Sequence, residues 1–486
     1  MQRMGLATKR IGLGMNRRGF LQGAAAGPLA MLGSPRLAAQ AERPNIIFLL
    51  TDDHKLDALG CMGNRVIRTP NLDRLSREGV TFDRHCVTTA ICMTSRASIF
   101  TGLYARAHKI WDFQKPFTPE QLARTYPELL RSSGYHTGFV GKYGVGAGPT
   151  MPAGRFDFWR GVPGQGPRFP QYQGREVHVT EMFGGQAREF LDAVPRDKPF
   201  CLSLSFNVPH VDDNSPEQFR PSKATEGMYD GATFPYPRTA DLRTIERMPI
   251  EVQRSEGRRR WAVRFSTPEL FQTSIRKYYR LITEVDTQVG LLREKLRELG
   301  RDRNTVILFT GDHGFYLGEH GLAGKWLMHE ESIRTPLIVY DPRLPAARRG
   351  ARVQETTLNI DFHPTILSMA GLRAPEGTMG RDLTPLLQGQ RTAWRNEFYY
   401  EHNFPNNGWI PSTEGVRTNE WKYTLYTDCQ PRFEELFDLK NDPIEARNLA
   451  RDGGQQSRMT ALRARYGAWQ AALDNWREGS PWSEPS

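Results

Sequence analysis

The chain has 486 residues, with 65 lysines and arginines against 54 aspartates and glutamates, a formal charge of +11. Hydrophobic residues make up 38% and there are ten tryptophans, enough for a buried core, which excludes a disordered chain. Beyond a short apolar stretch near the N-terminus, no run approaches the roughly 18 residues of a membrane span, so no integral membrane segment is expected; the positive balance raises a polyanion as partner.

Residues 1–41 contain Arg3, Lys9, Arg10, Arg17, Arg18 and Arg36 and no acid. The arginine pair followed by Gly19-Phe20-Leu21, a weakly apolar segment over 22–33 and Ala39-Gln40-Ala41 read as a twin-arginine export signal with a small-x-small cleavage site. The protein is therefore expected to be periplasmic or secreted, and only mildly basic once those six charges are removed.

Apolar runs follow at 46–50, 137–140, 200–206 and 306–310. They are continuous rather than alternating, as in parallel strands buried on both faces. Each runs into polar residues: Thr51-Asp52-Asp53-His54, Gly141-Lys142, Asn207-Val208-Pro209-His210 and Gly311-Asp312-His313-Gly314. Helical patterns occupy 71–78, 119–132, 180–193 and 268–299. This alternation predicts an α/β fold over 42–387, a large, mixed but mostly parallel sheet sandwiched by helices, with the polar strand ends gathered at one cleft. After a linker at 388–390, short strands at 397–401, 415–418, 422–427 and 436–439 and a helix over 455–476 predict a smaller C-terminal α+β domain, 388–486, built on a short antiparallel sheet.

Asp52-Asp53 and Asp312-His313 put three carboxylates and an imidazole where they can meet, and carboxylate-rich sites select calcium or magnesium. In Cys92-Met93-Thr94-Ser95-Arg96 the residues from Ser95 onward have helical character, with Gly102 as the stop. Cys92 then sits near a helix N-terminus with Arg96 four residues on, an anion site. From the residues alone it is an activated thiol or a structural cysteine. The cysteines, at 61, 86, 92, 201 and 429, are odd in number, so one has no disulfide partner.

With this segment the chain resembles the formylglycine-dependent sulfatases of the alkaline phosphatase superfamily. Their signature, Cys (or Ser)-x-Pro-x-Arg followed by Thr-Gly or Leu-Gly, is matched by Cys92, Ser95, Arg96, Thr101 and Gly102. The resemblance continues in family order through Thr69-Pro70-Asn71-Leu72-Asp73-Arg74-Leu75, Gly141-Lys142, Pro209-His210, Gly311-Asp312-His313-Gly314, Leu317-Gly318-Glu319-His320-Gly321, Arg334-Thr335-Pro336-Leu337, Trp421-Lys422-Tyr423 and Glu435-Leu436-Phe437-Asp438-Leu439.

The resemblance implies an alkaline phosphatase-like fold and a sulfatase acting on an organic sulfate ester, foremost a carbohydrate O-sulfate, with aryl sulfates as artificial substrates. It implies that a formylglycine-generating maturation enzyme oxidises Cys92 to formylglycine. One calcium ion would be held by Asp52, Asp53, Asp312, His313 and residue 92. Arg96, Lys142 and Lys325 would hold the sulfate, and His210 would protonate the leaving alcohol. Alternatives are a phosphonate or phosphate diester hydrolase on the same fold and a non-catalytic binder of sulfated glycans. Two positions depart from the family: Thr94 replaces Pro, and Gly144 and Val145 stand where a His usually follows the Lys, leaving His136, His54 or His313 to substitute. His54, His108, Glu319, His320, Lys422 and His402 are candidates to face the substrate. The arginine-rich stretch 254–264 reads as a solvated loop before it reads as a grip on an anionic polymer. No recognition motif supports a nucleic-acid partner.

Overall fold

In the computed structural model, which describes residues 43–405 and 408–485, the first apolar run forms strand β1 (Asn45–Asp52), buried along its whole length. The expected export signal lies outside the described residues. In chain order follow α1 (Pro70–Glu78), β2 (Val80–Phe82), α2 (Cys92–Thr101), β3 (His136–Lys142), β4 (Phe158–Val162), α3 (Val179–Ala193), β5 (Phe200–Pro209), α4 (Glu256–Arg264), α5 (Pro268–Glu298), β6 (Thr305–Gly311), β7 (Leu337–Tyr340), β8 (Ala351–Val353) and α6 (Phe362–Met369). The strands form one sheet in the order β8-β2-β7-β6-β1-β5-β3-β4. Its neighbours are parallel except β7, which runs against both β6 and β2.

Alternate residues of β1 serve two cores. Ile47 and Leu49 pack with α3 and α5 through Phe183, Phe190, Leu281 and Val285. Ile46, Phe48 and Leu50 pack on the other face with Ile99 and Phe100 of α2 and Phe362 and Ile366 of α6. Helices on both faces explain why the strands read as continuous apolar runs.

The smaller sheet is an antiparallel meander of β9 (Glu397–His402), β10 (Thr413–Thr418), β11 (Trp421–Tyr426) and β12 (Phe433–Asp438). Helix α7 (Gln456–Asn475) turns Met459, Leu462, Tyr466, Trp469 and Leu473, at helical spacing, onto Tyr399, Val416 and Tyr423. Leu103, Tyr104 and Ile333 join the same cluster.

Two expectations are corrected. The helix over 119–132 is two helices, Pro119–Ala123 and Tyr126–Ser132, because Thr125 between them is extended and Pro127 brings no N–H. The arginine-rich stretch is not a solvated loop but α4, whose start is capped by the Ser255 side chain and whose Glu256 and Arg264 are buried.

Candidate active site

Register aligns Leu50 with both Ser205 and Thr310, and Gly141 with Ser205, so the carboxyl ends of β1, β3, β5 and β6 lie along one edge. The polar residues that follow them therefore meet, as the sequence predicts. Asp52 accepts hydrogen bonds at Oδ2 from Lys142 Nζ and from Gln165 Nε2 (3.1 Å), with Arg96 Nη2 at 3.7 Å. Asp53 accepts at Oδ1 from Lys325 Nζ at 2.7 Å. His313 donates from Nδ1 to the Gly314 carbonyl at 2.9 Å, which leaves the ring's lone pair on Nε2.

Asp52 Oδ1, Asp53 Oδ2 and His313 Nε2 are each buried without a hydrogen-bond partner. Asp52, Asp53 and His313 each offer a ligand atom within 4.8 Å of the others. Two carboxylate oxygens and an imidazole nitrogen, desolvated and unmatched, form a donor set that fits a divalent cation. Asp312 borders this cradle: its Oδ1 lies 3.5 Å from His313 Nε2 and accepts from the Asp53 amide, while Oδ2 accepts from Arg96 Nε at 2.9 Å.

The electrostatics follow from burial against these partners. Burial alone would raise the Asp52 carboxyl, but Lys142, His210 and Arg96 hold it well below the usual carboxylate range. At Asp53 burial outweighs Lys325, and the carboxyl is raised. For the Lys142 ammonium, Asp52 and the Cys92 thiol overcome desolvation and raise it.

Cys92 opens α2, three residues earlier than a helix beginning at Ser95, and Gly102 closes it at φ +70 with its N–H on the Ser98 carbonyl. The thiol is 3% exposed. Burial would raise it, yet Lys142 and the neighbouring His313 pull it down. Thr94 is buried in the same helix. The other four cysteines are also free thiols.

Arg96 does not reach into the cleft as expected. Its guanidinium, 1% exposed, is engaged by Asp312, by the Lys142 carbonyl (2.6 Å) and by Ser205 Oγ (2.5 Å), so it braces the carboxylates from behind. The positions after Lys142 are now explained. Gly144 has φ +78, and a Cβ there would lie 2.7 Å from Arg96 Cδ; Val145 is buried in the apolar core. A histidine fits at neither. His136 begins β3, at the strand end away from the site, stacked on Phe190.

Lys142, Lys325, His210 and Cys92 line one cleft of about 270 Å³. His210 has Nδ1 2.7 Å from the Val211 carbonyl, so that nitrogen carries hydrogen and Nε2 faces Asp53 Oδ2 at 3.6 Å. Burial and Lys325 push its imidazole well below the usual range. One wall is apolar, with Phe113, Trp326, Phe404 and Ile410; the other is polar, with Gln165, Asp213, Glu256 and Arg260. None of these eight was named individually from sequence, although Glu256 and Arg260 lie in the arginine-rich stretch 254–264. Trp326 follows a recognised lysine and its φ of +88 marks strain, but Gln165 and Asp213 sit on loops with no pattern to announce them.

The histidines named as substrate-facing do not line this cleft. His54 is buried against Phe309 and bonded to Thr51, its imidazole pushed down by burial to about 3. His108 is buried between Ser98 Oγ and the Ile110 amide and is likewise pushed to about 3. His402 is buried with neither ring nitrogen bonded, and burial pushes its imidazole down to about 3. His320 stacks on His329 at 4.3 Å and lines a different depression. Glu319 accepts from the Leu317 amide, and Lys422 is buried against Glu330 and Glu445.

A family model for sulfatases matches residues 44–372, and one for the C-terminal region of N-sulphoglucosamine sulphohydrolase matches residues 318–471. The chain is similar to the N-acetylglucosamine-6-O-sulfatase of Bacteroides thetaiotaomicron, with 29% identity over 87% of this chain and 86% of that protein. It is similar to a solved structure of a protein in complex with its substrate D-glucosamine-2-N,6-O-disulfate, at a TM-score of 0.76 and 27% identity over 89% of this chain and 99% of that one. The phosphonate monoester hydrolase of Agrobacterium radiobacter shares the fold, with a TM-score of 0.72 and 23% identity over 89% and 96% of the two chains. Because the sulfatase match spans well over half of the sequence and contains every strand end that meets at the cleft, the chain belongs to the sulfatase family and is a sulfuric ester hydrolase.

Proposed function

We propose that the protein hydrolyses carbohydrate O-sulfate esters, with aryl sulfates as artificial substrates, using a formylglycine made from Cys92 by a maturation enzyme and one bound calcium ion. The observation that carries this reading is the convergence of Cys92, Lys142, Lys325 and His210 on a single cleft above the unmatched donors of Asp52, Asp53 and His313. The relatives named for N-acetylglucosamine 6-O-sulfate and for disulfated glucosamine support a sugar as the leaving group. The arginine pair at 17–18 supports export to the periplasm or beyond.

Hydrated formylglycine at position 92 would supply a hydroxyl nucleophile towards sulfur and a second hydroxyl through which the sulfate could be shed. Calcium would be held by Asp52, Asp53 and His313, with Asp312 and residue 92 beside them, and would supply positive charge. Lys142 and Lys325 line the cleft and neutralise sulfate oxygens as charge builds on them, the electrostatic contribution that usually dominates. Arg96 keeps Asp52, Asp312 and the Lys142 main chain in place. His210 presents Nε2 to the departing oxygen, since Nδ1 is committed to Val211, and it passes a proton from there as the imidazolium, the form that the sulfate's negative charge favours.

The test is the intact mass of the peptide across Cys92, taken with parallel assays on an aryl sulfate and an aryl phosphonate ester. A formylglycine mass with preferred sulfate hydrolysis is expected. Hydrolysis by a chain bearing only the thiol overturns the formylglycine mechanism, preferred phosphonate turnover favours the diesterase reading, and no turnover of either ester favours the glycan binder.

A further inference from the structure

The arginines of α4 stand beside the cleft and take no part in the chemistry above. Arg259, Arg260 and Arg264 face two carboxylates, Glu256 and Asp213. Glu256 accepts from Arg259 Nε at 2.6 Å and Nη2 at 2.7 Å and from Arg260 Nε at 2.7 Å. Asp213 Oδ1 lies 3.3 Å from both Arg260 Nη1 and Arg264 Nη2. Three guanidinium charges therefore share two carboxylate charges, and the shortfall is greatest at Arg264. Its side chain is 1% exposed, Nε donates to Gln218 Oε1 at 2.8 Å, and Nη1 is buried with no hydrogen-bond partner. Burial and the neighbouring Arg260 pull this guanidinium down to about 10. A desolvated cation with an unmet donor is costly and calls for an anion.

The surroundings say where that anion comes from. Asp213, Glu256 and Arg260 line the catalytic cleft and also an adjoining depression of about 350 Å³ that Gln218, Arg259 and Arg264 enclose. Arg260 bridges the two, its guanidinium 5.4 Å from the Trp326 ring in the cleft wall. A molecule whose reacting sulfate sits over Cys92 has a continuous path along Arg260 to Arg264.

We propose that this depression is a second anion subsite for the same substrate molecule, in which Arg260, Arg264 and Gln218 hold a further sulfate or carboxylate carried on the leaving-group side. This rests on the sulfate-ester reading above and narrows it to polyanionic glycans. Asp213 and Glu256 keep the arginines aimed and partly neutralised, so the subsite favours an anion tethered to the reacting sugar over free salt ions.

The experiment compares kcat/KM for a mono-O-sulfated sugar, the same sugar with a second sulfate, and a monosulfated uronate, with 4-nitrophenyl sulfate as reference. The enzymes are the mature wild type, Arg260→Gln and Arg264→Gln. The wild type is expected to prefer a doubly anionic substrate about tenfold or more, chiefly through KM, and either variant is expected to bring that ratio towards one. The sulfate and carboxylate arms tell which anion is read. Should Arg264→Gln fail to fold, Arg260→Gln and the salt dependence of the wild-type ratio decide, the ratio falling as ionic strength rises. A wild type that hydrolyses the reference and the monosulfated sugar without preferring a second anion, or a preference that survives in the variants and in high salt, overturns the subsite and leaves the sulfatase reading standing. Failure to hydrolyse any sulfate ester overturns both.

Discussion

Arg168 donates from Nη2 to the main-chain carbonyl of His210 at 2.9 Å, and its Nε and Nη1 are buried without partners. The guanidinium thus pins the backbone from which His210 reaches the cleft. Arg168→Met is expected to lower kcat on a sugar sulfate about tenfold and to spare 4-nitrophenyl sulfate, whose leaving group departs without a proton. His210→Ala is expected to show the same asymmetry with a larger loss, about 10²–10⁴-fold. Equal losses on the two substrates would contradict a role through the acid.

Lys142 and Lys325 each neutralise one carboxylate and line the cleft. Lys142→Ala and Lys325→Ala are each expected to cut kcat/KM by about 10²–10³-fold, the scale of losing one preorganised charge partner. Steady-state kinetics at saturating calcium checks this. Wild-type values in both variants would mean that neither lysine holds the sulfate.

Calcium bound at Asp52, Asp53 and His313 would stabilise the folded chain by mass action, by about 2.7 kcal/mol at a hundredfold excess over Kd. The melting temperature of chelator-treated protein is therefore expected to climb with added calcium, and Asp53→Asn to abolish that climb. A flat titration of the wild type would argue against a calcium site here.

The strand-end residues were legible because each directly follows an apolar run, and parallel strands bring their carboxyl ends together whatever the loops do. That reasoning finds Asp52, Lys142, His210 and Asp312 but not their orientation. Arg96 was correctly placed one helical turn from Cys92, yet its turning towards Asp312 and Ser205 depends on strands far away in sequence. His108 and His402 carried ligand chemistry by type alone, and tertiary burial made them part of the interior. In α4 the start signal was present, Ser255 followed by Glu256, but the density of arginines suggested solvent; the carboxylate of Asp213, supplied from another loop, is what lets that helix lie against the cleft.

Asp286 on α5 accepts from the Leu72 amide at 2.7 Å and from the Asn71 amide and side chain at 3.2 and 2.9 Å, fastening the start of α1. Burial raises its carboxyl from 3.8 to about 6. It binds its proton more tightly when folded, so its contribution to stability is full below about pH 4 and is lost as pH rises through about 6. Urea midpoints of the wild type minus those of Asp286→Asn, taken from pH 4 to 7, are expected to fall with pH. A difference independent of pH would refute the assignment.

Once α2 has docked beneath the sheet edge, Cys92 is 3% exposed and reached only through the cleft, and on the proposed formylglycine reading this imposes an order of events. A maturation enzyme that closed its own active site around the thiol would have to do so while the segment is still an extended peptide. Folding would then act as a deadline: a chain that packed this helix before oxidation would keep an intact scaffold around an inert cysteine, and the fraction of active molecules in a preparation would record how that race was run.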